Sequence, residues 1–521
     1  VSSSTMRSCC PRAASSSATS VGRIAPSAAP VRSAVPAAAS LAASAMRMDS
    51  PSAPKSAAPE RTRSYVSVGR PTSWKTPGST GVSAGIVEAG TVCVSGSAAN
   101  SVFSGALPPQ AASASTARST TVTRRIPTRE SCRASRCGTL PPMRDYSLTA
   151  TPGRIPPTAV RARGCRIWTA DGDEWIDACG GAMVMSVGHC HPRLVEVLQR
   201  QAEQLTFTYR FSFSNEPMLE LAELLRGISP LPETWAFFNS SGSESVESAI
   251  NLACLYWRTL DRPGKTGLLS RAPSYHGSTV GALALSGTAR RDDYEALLAD
   301  YAVAPTPGAD IAARRTPAEE CAWALAGLEA AILERDPDTL AAIFLEPITG
   351  ASGAALTPPD GYLQGVRELC DRHELLMICD ETITGFGRTG TWFGVEQWGA
   401  QPDVITFAKG VTSGMLPFSG LLAAGPIADV LMSRPDGFPV GHTFSGYPLG
   451  CAVGAEMIRV IEDEGLLANA TAMGARLRDG VERIAATSPH VGEVRGRGLL
   501  VGIELVEDRD FPRAAQRGDR A

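Results

Sequence analysis

Lysine is scarce in this chain of 521 residues, which carries 49 Lys and Arg together but only four lysines: Lys55, Lys75, Lys265 and Lys409. Arginine supplies positive charge nearly everywhere else. It does not give up its proton at ordinary pH, so chemistry that needs a neutral amine has few places to occur. Acidic residues are missing from the front. Residues 1–142 hold Asp49, Glu60, Glu88 and Glu130 against sixteen Lys and Arg, so a net charge of −3 hides a remainder near −15. This Ser/Ala/Pro/Arg-rich leader has no sustained period and reads as disordered. Its charges are scattered, which argues against a nucleic-acid surface. No apolar run reaches about 18 residues, so no membrane span is expected. No compact apolar stretch follows the first basic residues, as a secretory signal requires.

CxxC pairs are also absent. The thirteen cysteines are dispersed, and Cys254 and Cys379 fall inside apolar segments, where Cys acts as a small hydrophobe. The reading is a reduced, cytoplasmic protein. Cys190 between His189 and His191 resembles a metal motif, but adjacent positions rarely reach one ion, and no metal site is expected.

Against these absences stand short, fully apolar runs that end in charge. Leu375–Cys379 leads into Asp380, and Val404–Ala408 leads into Lys409. Runs of that length read as buried strands of a parallel sheet. Charged groups at their carboxyl ends face the crevice where open α/β sheets bind ligands. An amine beside a fixed carboxylate there suits pyridoxal phosphate. The amine forms a Schiff base with the cofactor's aldehyde, and the carboxylate keeps its ring nitrogen protonated. A lysine that snorkels at a strand end is the alternative on spacing alone. Lys265 lies in the Asp261–Lys265 turn and is not expected to substitute.

The length permits two or three domains. Strand-turn-strand logic begins at Arg161 and runs through Cys165–Trp168 and Glu174–Asp177, and a helix follows from Pro192 to about Leu205. A second helix is expected near Met218–Leu225. Strands and helices then alternate through residue 425, with strands at Trp235–Phe238, Gly267–Leu269 and Ala341–Leu345. Helical patterns cover Ser243–Trp257, Ala318–Arg335 and Gly361–His373, then about 448–463 and 466–486. Val491–Leu505 reads as strand with a Gly-rich bend. The fold class is α/β, a mostly parallel doubly wound sheet in a large domain plus a smaller C-terminal α/β domain. The expected divisions are 1–142, an N-terminal segment 143–215, a large domain 216–435 and a small domain 436–521.

Asn239-Ser240-Ser241-Gly242-Ser243-Glu244 runs from a strand into a small-residue turn that opens a helix. Free N–H groups and the helix dipole suit a phosphate there, and an ordinary Ser N-cap is the plainer reading. Tyr275-His276-Gly277 places an aromatic ring beside a Gly turn, suited to covering a planar cofactor.

From Met143 to about Leu505 the chain resembles the class III (subgroup II) pyridoxal-phosphate-dependent aminotransferases. The residues that carry this are Gly188–Pro192, Asn239–Glu247, Tyr275-His276-Gly277, Glu346-Pro347-Ile348, Asp380–Gly390, Ala408-Lys409-Gly410 and Gly441–Gly446, in family order and spacing. The resemblance implies fold-type I and a homodimer with active sites at the subunit interface. It makes Lys409 the Schiff-base lysine and acid/base, Asp380 the ring-nitrogen partner and Glu346 the active-site glutamate. It assigns phosphate contacts to Ser241, Gly242 and Ser243, with Thr443 reaching over from the neighbouring subunit. Tyr275 and His276 join the cofactor site, with Tyr275 on one ring face and Thr382 on the other. Thr382 stands where many members have Val or Ile. Ile383 replaces a Gln of the ornithine and GABA types, which resembles the ω-amino acid and diaminopelargonate-like branches. The pocket walls are expected near Met183 and Tyr209–Phe211.

The resemblance implies transfer from an amine or ω-amino acid donor to a 2-oxo acid acceptor. Alternatives on the same scaffold are a glutamate 1-semialdehyde aminomutase, a decarboxylating transaminase, or a cofactor-binding protein of little activity. No nucleic acid or membrane partner is expected. Val1 begins a leader of out-of-frame character, which leads to an expected native start near Met143. Family members continue beyond the Val501–Leu505 strand, which leads to an expectation that the small domain is incomplete.

Overall fold

The structure, a computed structural model, describes residues 156–310 and 313–506, Leu148, and two short paired strands, Ile86–Val87 and Thr91–Val92. The rest of residues 1–142 lies outside the described residues.

Seven strands form the central sheet: β1 (Trp235–Asn239), β2 (Gly267–Ala272), β3 (Ala302–Pro305), β4 (Leu340–Leu345), β5 (Leu376–Asp380), β6 (Val404–Phe407) and β7 (Ser419–Ala423). Their order is β1-β7-β6-β5-β4-β2-β3. Every pairing is parallel except those of β7, which runs antiparallel to both β1 and β6. Every residue of β4, β5, β6 and β7 is buried. Strands covered on both faces need continuous apolar runs, and β4, β5 and β6 have them.

The sequence expectation named neither β3 nor β7. Ala302–Pro305 is short and ends in a proline at the sheet edge, and Ser419–Ala423 contains Ser and Gly without alternation. Near the front, Ala159–Arg163 adds an unexpected third strand to Arg166–Thr169 and Glu174–Ile176.

Side chains cap several of the helices and satisfy their free N–H groups. Asn215 Oδ1 accepts from Met218 N at 2.9 Å to open the helix Glu216–Ile228. Thr316 and Glu319 form a reciprocal capping box at the start of Pro317–Glu334. Ser241 caps Gly242–Thr259, whose buried face includes Val246, Leu252 and Trp257. The Trp257 indole donates to the carbonyl of Ala341 in β4 at 2.8 Å and anchors that helix to the sheet. Beyond the sheet come the helices Pro448–Asp463 and Leu466–Thr487 and an antiparallel hairpin, Val491–Arg497 with Leu500–Leu505. No helix among the described residues is long and apolar enough to cross a membrane.

Candidate active site

The expected site residues gather at the carboxyl ends of the parallel strands. Asp380 is the last residue of β5, and Glu346 directly follows β4. Tyr275 and His276 follow β2, Ser241–Ser243 follow β1, and Lys409 stands two residues beyond β6. These ends share one side of the sheet because their strands are parallel. Asp380 and Thr406 occupy paired positions of β5 and β6, so the sheet register itself brings a hydroxyl to the carboxylate.

Asp380 is buried and held by three donors. His276 Nδ1 is 2.9 Å from Oδ2, while Thr382 N and Thr406 Oγ1 donate to Oδ1 at 3.1 and 3.2 Å. Burial alone would raise its pKa. Hydrogen bonds from His276 and Thr382 outweigh burial and hold it below the ordinary value. Glu346 is buried too, accepting from Tyr275 N at 3.0 Å and Gly350 N at 2.9 Å. Its carboxyl is pushed up, chiefly by burial and further by the nearby Asp380 charge.

Lys409 lies in the left-handed region at φ +44°, in the turn that follows β6. A non-glycine residue held there by its surroundings carries local strain of a kind that clusters at functional sites. Burial lowers the pKa of its amine. Asp380 and Glu346 oppose that shift, and Arg388 adds to it. Arg388 was not singled out from the sequence as part of the site. Its guanidinium donates to the carbonyl of Met185 at 3.3 Å.

The turn after β1 is built for close approach. A Cβ on Gly242 would lie 3.3 Å from Thr382 Oγ1 and 3.6 Å from the Ala408 Cβ, so the helix start sits against residues flanking Asp380 and Lys409. Ser419 Oγ donates to the carbonyl of Ser241 at 2.7 Å, and Ser243 Oγ accepts from Ser278 N at 3.1 Å. A Cβ on Gly277, at φ +141°, would come within 2.4 Å of Ser243 Oγ. Glu247, given no role of its own from the sequence, accepts from Gly281 N at 2.9 Å and ties the next helix to this one. Thr443 is exposed. Its neighbour His442 lies 3.2 Å from Glu244, in the first turn of the Gly242–Thr259 helix.

Two other motifs resolve differently. His189 pairs with Asp177 at 2.9 Å and His191 with Glu464 at 3.1 Å, so the two imidazoles on either side of Cys190 serve separate carboxylates. Lys265 is not an exposed turn lysine. It is 1 % exposed, donates to the carbonyl of Pro337 at 3.0 Å and lies 4.6 Å from the Trp257 ring.

Together these groups can hold an aldehyde cofactor with a phosphate tail. The amine loses charge readily, the buried carboxylate stays ionised, and the helix start offers free N–H groups beside a glycine.

Comparison with known proteins agrees. The family model for class-III aminotransferases matches residues 149–518. The putrescine–pyruvate aminotransferase of Pseudomonas aeruginosa is 35% identical over 393 residues, 73% of this chain and 84% of that protein. Among solved structures, an (S)-enantioselective ω-transaminase from Thermomicrobium roseum is 36% identical with a TM-score of 0.65, over 68% of this chain and 80% of its own. The taurine:2-oxoglutarate aminotransferase of Bifidobacterium kashiwanohense, solved with pyridoxal phosphate and glutamate, is 31% identical with a TM-score of 0.66, over 71% and 81%. This chain belongs to the class-III aminotransferases, enzymes that depend on pyridoxal phosphate and exchange an amino group between amines or amino acids and 2-oxo acids.

Proposed function

We propose that Lys409 supplies the cofactor-binding amine and that Asp380 faces the cofactor's ring nitrogen. The observation that carries this is the pair itself, an amine whose charge burial weakens and a carboxylate kept ionised, at the ends of neighbouring parallel strands. When bound, pyridoxal phosphate supplies a carbonyl that condenses with amines and a ring that accepts electrons from the carbon bearing the amino group. Lys409 Nζ would take up and return the proton at that carbon. Asp380 presents a fixed negative charge at the ring nitrogen. Ser241, Gly242 and Ser243 receive the phosphate at the helix N-terminus. Tyr275 and Thr382 would bound the ring on its two faces, and Glu346 would line the site with His276 behind Asp380.

The donor is an amine or ω-amino acid and the acceptor a 2-oxo acid, as the names of the putrescine–pyruvate and taurine–pyruvate relatives suggest. A screen of putrescine, taurine and ω-amino acids with pyruvate or 2-oxoglutarate tests this by amino-acid formation. Turnover without an acceptor would indicate an aminomutase instead, and release of carbon dioxide a decarboxylating transaminase.

The working unit is a homodimer in the cytoplasm. Exposed Phe207 and Phe444 pack together into an apolar patch suited to cover by a second copy, and exposed Tyr209 and Phe211 form another such pair. Thr443, exposed beside that patch, would reach the phosphate of the neighbouring subunit. Mixed dimers with Thr443→Ala on one chain and Lys409→Ala on the other should contain one doubly damaged and one intact site. Equal partial damage at both sites would contradict that assignment. The large domain is assigned to 216–435, between an N-terminal segment 143–215 and a small domain from 436.

A further inference from the structure

The imidazole of His276 is completely buried. Its backbone N–H is fixed by Ser286 Oγ at 2.8 Å, and its ring stands edge-on to Phe344 at 6.3 Å. Nδ1 is 2.9 Å from Asp380 Oδ2. Nε2 is buried and has no partner among the described residues. Because Asp380 can only accept when ionised, Nδ1 must be the donor in this pair. If Nε2 carried a second proton, a cationic N–H would be buried without an acceptor, which costs far more than a buried lone pair.

The surroundings of Asp380 point the same way. Its other two donors, Thr382 N and Thr406 Oγ1, are uncharged. With a neutral His276, three neutral dipoles orient the carboxylate without cancelling its charge, and one acceptor direction remains open. A cationic His276 would spend that charge before a ring nitrogen could use it.

We propose that His276 is a positioning residue held as the neutral Nδ1–H tautomer, which aims Asp380 at the cofactor's ring nitrogen while leaving the full negative charge available. The proposal rests on the assignment of Asp380 to that nitrogen, and the test separates the two.

The wild-type protein, His276→Asn, His276→Leu and Asp380→Asn are each loaded with pyridoxal phosphate labelled with 15N at the ring nitrogen. Asn can place its amide N–H near the position of Nδ1–H, whereas Leu fills space without a donor. The 15N resonance is expected at its protonated position in the wild type and to stay there in His276→Asn. It should move away in His276→Leu, with kcat lowered roughly tenfold to a hundredfold, the usual cost of removing a group that orients a charged ligand. KM should change far less.

An unmoved resonance in His276→Leu, or equal displacement in the Asn and Leu variants, would overturn the positioning role. If Asp380→Asn also leaves the resonance unmoved, the assignment of Asp380 fails instead. Should His276→Leu not load with cofactor, the imidazole 15N spectrum of the wild type decides. The chain has six histidines, so His276→Asn identifies the His276 signals by their loss. One protonated and one bare nitrogen supports the proposal, and two protonated nitrogens overturn it.

Discussion

Thr406 donates to Asp380 Oδ1 at 3.2 Å because the two residues sit at paired positions on neighbouring parallel strands. Thr406→Val keeps the shape of the side chain and removes the donor. Hydrogen bonds to charged groups contribute about 1.5–3 kcal/mol, so kcat should fall by roughly tenfold to a hundredfold while the sheet remains intact. Circular dichroism and steady-state kinetics check both parts. An unchanged kcat would show that this hydroxyl does not support the carboxylate.

Asp380→Asn should still load pyridoxal phosphate, since the phosphate turn is untouched. An amide cannot hold a ring-nitrogen proton by charge, so turnover should fall by on the order of a hundredfold or more. Comparing cofactor content by absorbance with kcat separates binding from chemistry. Turnover near the wild-type rate would remove Asp380 from its assigned role.

The two glycines of the phosphate region should differ in sensitivity. Gly277→Ala places a Cβ 2.4 Å from Ser243 Oγ at φ +141°, so both backbone and serine must shift. Gly242→Ala meets Thr382 at 3.3–3.4 Å, which asks for a few tenths of an ångström. Cofactor Kd should rise in both, and Gly277→Ala should also lose about 1–3 kcal/mol of stability. Equal thermal stability of the two variants would argue against this geometry.

Glu381 gives a pH signature. It is fully buried, and its carboxyl is pushed up to about 7, chiefly by burial and against bonds from Thr384, Val395 and Gly394. The folded protein therefore keeps a proton that the unfolded chain has released above the ordinary value of 4.5. Stability should fall as pH rises from about 4.5 to 7 and then level off. Tm measured across that range checks the slope. Glu381→Gln should flatten it, though its Tm is expected to be lower throughout because an amide satisfies the three donors less well. An unchanged slope would assign the titration to another group.

Legibility in the sequence followed locality. Asp380 and Lys409 could be read because each ends a continuous apolar run, and such runs have few interpretations in an alternating α/β chain. The sheet strand Ser419–Ala423 gave no such signal, because its burial comes from pairing between β6 and the distant strand β1. Thr406 looked like any strand residue until β5 and β6 were paired in register. Glu247 has no local pattern that marks its role, which is to bond a backbone N–H 34 residues away. Lys265 was read from its turn, whereas its burial depends on Trp257 and Pro337, which are separate from that turn. The roles of Glu346 and Thr443 were reached through family resemblance, since neither has a distinctive local pattern.

The four lysines make the central assignment directly measurable. Protein loaded with pyridoxal phosphate is reduced with borohydride, digested and mapped by mass spectrometry for the lysine that carries the pyridoxyl group. That group should be found on Lys409, and Lys409→Ala should lose both the label and transamination. Labelling at Lys265, or a borohydride-reducible cofactor bond that persists in Lys409→Ala, would contradict the assignment.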